Sequence, residues 1–246
     1  MLEPEALLFA LVVIFIAGVT QSLTGFGFGL VAIPLLTLVI SPKLAPPIVL
    51  IDGMVLNLLI LRRAHVAVQP KRIWLLSAAG VLGVPFGTWV LAHWDVESLR
   101  IYIGVMTCLV AVFFLKGIRR EVKNEQLVSA PIGFVSGVMS GSINMGGPPV
   151  ILFFANQNVP RQVFRANIVA YFFILQIAAV PFLLWNGILN RETFIAGVVL
   201  LPALIAGGFV GASFAERVDD GVVRHLTLII VSVAGVLSIL NGLNLI

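Results

Sequence analysis

The sequence predicts an all-α polytopic membrane protein of two inverted repeats, each an opening re-entrant or broken-helix hairpin followed by three transmembrane helices. Three observations lead there. The 246-residue chain is 60% hydrophobic and only 11% charged, with a mean hydropathy of +1.11, whereas soluble domains carry about 25% charged residues. Apolar segments long enough to span a bilayer recur along its whole length, which leaves no room for a soluble domain between them. The pattern of glycines and polar residues in the first half also returns in the second.

The first repeat, 1–122, opens with a hairpin over 6–40, followed by helices over about 44–61, 73–92 and 98–115. The second, 123–246, has its hairpin over 127–156 and helices over about 166–185, 193–215 and 222–243. A crossing helix needs about 20 residues, so the second arms of the hairpins, 28–40 and 148–156, are too short to cross alone. Met1-Leu2-Glu3-Pro4-Glu5 lacks a basic n-region, and no cleavage pattern precedes Gly18, so the first segment is expected to be retained. Lys116 to Glu125 is the longest charged run and reads as a solvated linker between the repeats, with a weaker role in contacting lipid headgroups.

Placing Gly18-Val19 on Gly137-Val138 also places Ser22 on Gly141, Gly25 on Asn144, Gly27 on Gly146, Asn57 on Gln176 and Ser41-Pro42 on Pro160-Arg161. After a short insertion near Trp185-Asn186-Gly187, Gly83 falls on Gly207, Gly87 on Gly211, Asp95 on Asp219 and Arg100 on Arg224. The basic residues then choose between topologies. With four full crossings per half, the 15 Lys and Arg divide 9 inside to 6 outside. With a hairpin plus three crossings per half, only Lys43, Arg100 and Arg191 are outside and the other 12 are inside. The positive-inside rule prefers the second arrangement, with both termini outside. Three crossings is an odd number, so the second half is inverted relative to the first, the plan in which transporters bind substrate at the midplane between broken helices. A hairpin of two full crossings has the same parity.

Each hairpin tip breaks an apolar run with small and amide-bearing residues. Thr20 to Gly29 contains Gln21, Ser22, Thr24, Gly25, Gly27 and Gly29; Ser140 to Pro149 contains Ser140, Ser142, Asn144, Gly146 and Gly147. Glycines and backbone-competing side chains make poor helix, and both stretches are expected to be non-helical. Pro148-Pro149 suits the first turn of a helix that follows. Helix N-termini carry partial positive charge and bare N–H groups, so two such ends meeting at mid-depth form an anion pocket that needs no arginine. The alternative for the glycines is close helix packing.

Asp52 is the one acid well inside an apolar segment, where a carboxylate must be protonated, paired or facing water. It is a candidate coupling residue or a satisfied structural carboxylate. Arg165 and Asn167 open a helix whose first turn is expected to reach the second tip, and Asn57 and Gln176 occupy equivalent repeat positions. Arg165 either contributes to the pocket or snorkels to the surface.

Other chemistries find little support. Cys108 is alone, and His65, His93 and His225 have no metal-ligand spacing, so neither a metal nor a cofactor is expected. The net charge of +4 comes from short loops rather than one exposed face, which argues against nucleic acid. An enzyme with Ser140 or Ser142 as nucleophile would need a base, and no histidine lies deep in a segment.

The chain resembles the TauE/SafE family of sulfite and organosulfonate exporters. The resemblance rests on Gln21-Ser22-Leu23-Thr24-Gly25-Phe26-Gly27-Phe28-Gly29 with Ile33-Pro34, and on Ser136-Gly137-Val138-Met139-Ser140-Gly141 with Gly146-Gly147-Pro148-Pro149. It implies export of a small anion containing sulfur or carboxylate across a bacterial-type inner membrane, by alternating access and with a homodimer as one possible assembly. A passive anion channel is the alternative, because broken helices also line pores.

Overall fold

The computed structural model describes residues 3–116, 125–155, 160–214, 220–243 and 245. The run Lys116 to Glu125, apart from its two end residues, and the position matched to Asp95, Asp219, lie outside them, as does the side chain of Arg224. Two series of helices follow one another. In the first are α1 (Pro4–Thr24), α2 (Phe28–Leu36), α3 (Ala45–Ala64), α4 (Pro70–His93) and α5 (Val96–Lys116). In the second are α6 (Glu125–Ile143), α7 (Gly147–Ala155), α8 (Arg161–Trp185), α9 (Arg191–Phe214) and α10 (Asp220–Gly242). A 3-10 turn, His65–Ala67, extends α3. In each series the second helix has nine residues, and no strand occurs among the described residues.

Local chemistry sets the ends. Proline occupies the first turns of α1, α3 and α4, where its missing N–H costs nothing. Arg62 and Arg63 close α3, where positive charge complements the helix dipole. Between α4 and α5, Asp95 accepts hydrogen bonds from the Ser98 amide (2.8 Å) and hydroxyl (2.9 Å), which hold its carboxyl below the usual range. This cap is therefore complete at neutral pH and is lost only as pH falls through that lowered value.

Six stretches among the described residues are long and apolar enough to cross a membrane: Pro4–Thr24, Ala45–Ala67, Pro70–His93, Val96–Phe113, Arg161–Trp185 and Arg191–Phe214. Leu127–Ile143 and Val231–Gly242 are shorter apolar stretches. The first hairpin is therefore asymmetric. At about 1.5 Å per residue, the 21 residues of α1 match a bilayer core, whereas the nine of α2 reach less than halfway.

Both tips are more helical than expected. Instead of the whole stretch Thr20 to Gly29, only Gly25, Phe26 and Gly27 leave the helix; in the second tip only Asn144, Met145 and Gly146 do. The polar side chains do not compete with the ladder because they bond back to it. Thr20 Oγ1 donates to the Ile16 carbonyl (2.9 Å), Thr24 Oγ1 lies 2.8 Å from the Thr20 carbonyl, and Ser142 Oγ is 2.8 Å from that of Val138. Both helices end in the left-handed conformation, at Gly25 (φ 85°) and Asn144 (φ 52°). Asparagine is among the few residues with a side chain that adopt it readily, which explains why an amide stands where the first tip has glycine.

Glycine faces bring the helices together. A Cβ on Gly207 would lie 2.2 Å from the Phe15 carbonyl oxygen, and one on Gly137 would lie 2.0 Å from that of Gly80. Gly211 is similarly close to backbone across α1 and α9, with Gly18 at 3.0 Å from the Leu204 carbonyl oxygen, and Gly83, Gly87, Gly133 and Gly141 are similarly close across α4 and α6. In both pairs the contacts advance together along the two chains, so the helices are parallel. Gly104 meets Gly235 while Gly242 meets Ile101, so α5 and α10 are antiparallel. Asn57 meets Gln176 while Gln69, beyond the end of α3, meets Asn167 near the start of α8, so these two are antiparallel as well. The other side of α4 carries Leu82, Phe86 and Trp89, each more than half exposed, as a lipid-facing stripe requires.

Candidate functional site between the hairpin tips

The two tips touch. A Cβ on Gly29, in the first turn of α2, would lie 2.0 Å from the carbonyl oxygen of Asn144, in the second tip. A cavity of about 40 Å³ lies where they meet, lined among others by Gln21, Gly27 and Gly29 from the first tip and by Ser140, Asn144 and Gly147 from the second. Gly53 and Asn57 close it from the middle of α3, and Phe172 and Gln176 close it from the middle of α8. The cavity is therefore at mid-depth in both helices.

A chain of amides runs along its wall. Gln21 Nε2 donates to Asn57 Oδ1 (2.9 Å), and Asn57 Nδ2 donates to Gln176 Oε1 (3.0 Å). Gln21 Oε1 in turn accepts the backbone N–H of Phe28, the first residue of α2 (3.1 Å). All three side chains are buried. A net contribution of about 1 kcal/mol per bond is modest, but breaking one leaves buried groups unpaired at about 1–3 kcal/mol each. The chain thus fixes α1, α3 and α8 to one another and ties the start of α2 to them.

Among the described residues, no charged side chain lines this cavity. Its polar character comes from amide and hydroxyl groups and from the first-turn backbone N–H groups of Gly29 and Leu30 in α2 and of Gly147 in α7; the Phe28 N–H is taken by Gln21 and Pro148 has none. Neutral donors beside two helix N-termini favour an anion without fixing a permanent countercharge.

Not every predicted residue lines this cavity. Thr24 and Gly25 shape the first tip: the Thr24 hydroxyl is 2.5 Å from the Phe26 carbonyl and accepts the Phe26 N–H at 3.2 Å. Gly146 lies behind the second tip, where its carbonyl accepts a hydrogen bond from Ser136 Oγ (2.5 Å). Ser142 faces Tyr102, with 3.2 Å between the hydroxyls. Ser22 and Arg165 line a second, larger cavity. Arg165 does not reach the second tip as expected; its Nη2 donates to the Ser22 carbonyl of the first (2.6 Å). The antiparallel packing of α8 on α3 carries the start of α8 to the end of α1, away from α6. Asp52 is fully buried, neither carboxylate oxygen has a hydrogen-bond partner, and it lines neither cavity. The aromatic and aliphatic walls, Phe172 and Ile151 among them, gave no sequence signal, because an apolar residue in an apolar helix looks the same facing lipid or a cavity.

A family model described as Sulfite exporter TauE/SafE matches residues 10–238, a span that includes both tips and every residue of the amide chain. The chain belongs to the TauE/SafE family. That family is one of exporters rather than enzymes, and with the six apolar helices it makes this an integral multi-pass membrane protein of anion export. A relative from Cupriavidus necator described as "Probable sulfite/organosulfonate exporter TauE" is 24% identical over 220 residues, which cover 84% of this chain and 83% of the relative. No solved structure matches the chain.

Proposed function

We propose that this TauE/SafE chain is a secondary transporter that exports a small anion across the inner membrane: sulfite, an organosulfonate or a related sulfur-containing or carboxylate anion. The substrate binds at the midplane between the hairpin tips. The observation that carries this reading is the meeting of the two tips, distant in sequence, on one buried cavity at mid-depth with neutral donors and two helix starts in its wall. The relative's printed description supports the substrate class.

The two halves, 1–122 and 123–246, act as inverted repeats about a pseudo-two-fold axis in the membrane plane. Helices equivalent under such an axis must cross antiparallel, as α3 and α8 do and as α5 and α10 do. The hydrogen bond between Asn57 and Gln176, one repeat apart, supports the same axis running through the site. Rocking of one half on the other would open the cavity to each side in turn, with both termini on the outer face.

Counterflow tests the mechanism. In proteoliposomes, labelled sulfite uptake is expected to accelerate severalfold when unlabelled sulfite fills the lumen, because a loaded carrier returns faster than an empty one. Uptake that does not respond to internal sulfite would make the protein a channel and overturn alternating access.

A further inference from the structure

The second cavity is far larger than the first, about 620 Å³, and lies between α1, α3, α8 and α9. Small-molecule sites typically occupy roughly 300–1,000 Å³, so this is the cavity with the dimensions of an organic ligand. Its composition is two-sided. One end carries Arg63, Arg161 and Arg165, and no carboxylate is among the described residues that line the cavity; the rest is largely apolar, with Leu59, Ile205 and Phe209 prominent. The antiparallel packing creates the basic end, since the last turn of α3 with Arg63 lies beside the first turns of α8 with Arg161 and Arg165. These two lie one turn apart on the same face of α8.

The cavity also adjoins the tip site. Ser22 lines it while the preceding residue, Gln21, lines the tip cavity, and on α3 Leu56 faces one while Asn57 faces the other. The last turn of α1 lies between them, held by Arg165 through the Ser22 carbonyl and packed so closely that a Cβ on Gly25 would lie 2.7 Å from Arg165 Cγ.

We infer that this vestibule is a separate binding site, on the cytoplasmic side of the tips, for a soluble amphiphilic oxyanion, a sulfonate or carboxylate head on the arginines and an apolar tail against Leu59, Ile205 and Phe209. Planar guanidinium groups suit the oxygens of such a head. The tail needs a wall the tip cavity lacks room to provide. Arg63, Arg161 and Arg165 lie at the end of the bundle that the charge distribution places in the cytoplasm, where an exported anion is collected. Binding here does not require that the tips be the transport site.

The test is calorimetric binding of hexanesulfonate and methanesulfonate to the purified full-length protein in a neutral detergent. Hexanesulfonate is expected to bind at least tenfold tighter, and Arg63→Gln with Arg161→Gln to weaken it at least tenfold without lowering the thermal unfolding midpoint. Leu59→Asn, which keeps all three arginines, is expected to erase most of the tail's advantage. Arg165 is left intact because it holds α1. Equal affinity for the two sulfonates, or an affinity unchanged by the double replacement, would overturn the site. If Asn144→Trp abolishes hexanesulfonate binding and the arginine pair does not, the vestibule site is wrong and the tip site stands; the reverse supports the vestibule site whatever becomes of the tips. Native mass spectrometry separates lipid from soluble anion. Phosphatidylglycerol that copurifies with the wild type and is lost from the double variant would assign the arginines to a lipid headgroup and overturn the proposal.

Discussion

Gly29→Ala is expected to reduce sulfite flux in proteoliposomes at least tenfold while the protein still inserts and elutes as a single species. The added methyl would lie 2.0 Å from the Asn144 carbonyl oxygen and 3.1 Å from its carbonyl carbon. Both are backbone atoms at the end of α6, so no flexible side chain can yield, and the tips themselves must separate. Overpacking of this kind costs about 1–3 kcal/mol, which a membrane domain of this size tolerates. The geometry of the cavity does not tolerate it, because Gly29 and Asn144 both line it. Flux equal to the wild type would mean that the contact between tips is incidental.

Asp52→Asn is expected to separate driving force from binding. An ionised carboxylate buried without a partner costs several kcal/mol, whereas an amide of the same shape does not, so the substitution should leave stability unchanged or higher. Asp52 precedes Gly53, which lines the tip cavity, so a change of charge there acts next to the site. If it carries the coupling proton, an imposed pH gradient will accelerate sulfite movement severalfold in the wild type and not in Asp52→Asn, while counterflow persists in both. A variant that still responds fully to the gradient would remove Asp52 from coupling.

Much of the frame is legible in the chain because glycine and amide residues stand out against an apolar background. Matching Gly25 to Asn144 pairs the two residues that end their helices in the left-handed conformation. Matching Asn57 to Gln176 pairs two side chains that bond to each other. Glycines that lined up between the halves, Gly18 with Gly137 and Gly207 with Gly83, turn out to serve the packing of α1 on α9 and of α4 on α6.

What escaped the sequence depends on direction rather than identity. The helical state of Thr20 to Thr24 follows from hydroxyls turning back to their own ladder, a rotamer choice that composition does not encode. Neither the second tip nor the surface is where Arg165 Nη2 ends, because nothing in a linear pattern says which helix end an arginine will meet. Its partnership with Ser22 follows from the crossing of α3 and α8, as does the vestibule, whose arginines come from separate segments.

An anion that occupies the space between the tips would shield the side chains of that cavity. Ser140 lines that cavity and differs from cysteine by a single atom, so Ser140→Cys in a Cys108→Ala background puts a lone reporter thiol in the wall. Its alkylation by iodoacetamide, timed by mass spectrometry, is expected to slow at least fivefold and saturably in methanesulfonate, which is inert toward thiols, over the range in which methanesulfonate inhibits sulfite transport. Alkylation at the same rate with and without inhibiting methanesulfonate would place the anion elsewhere and contradict the account.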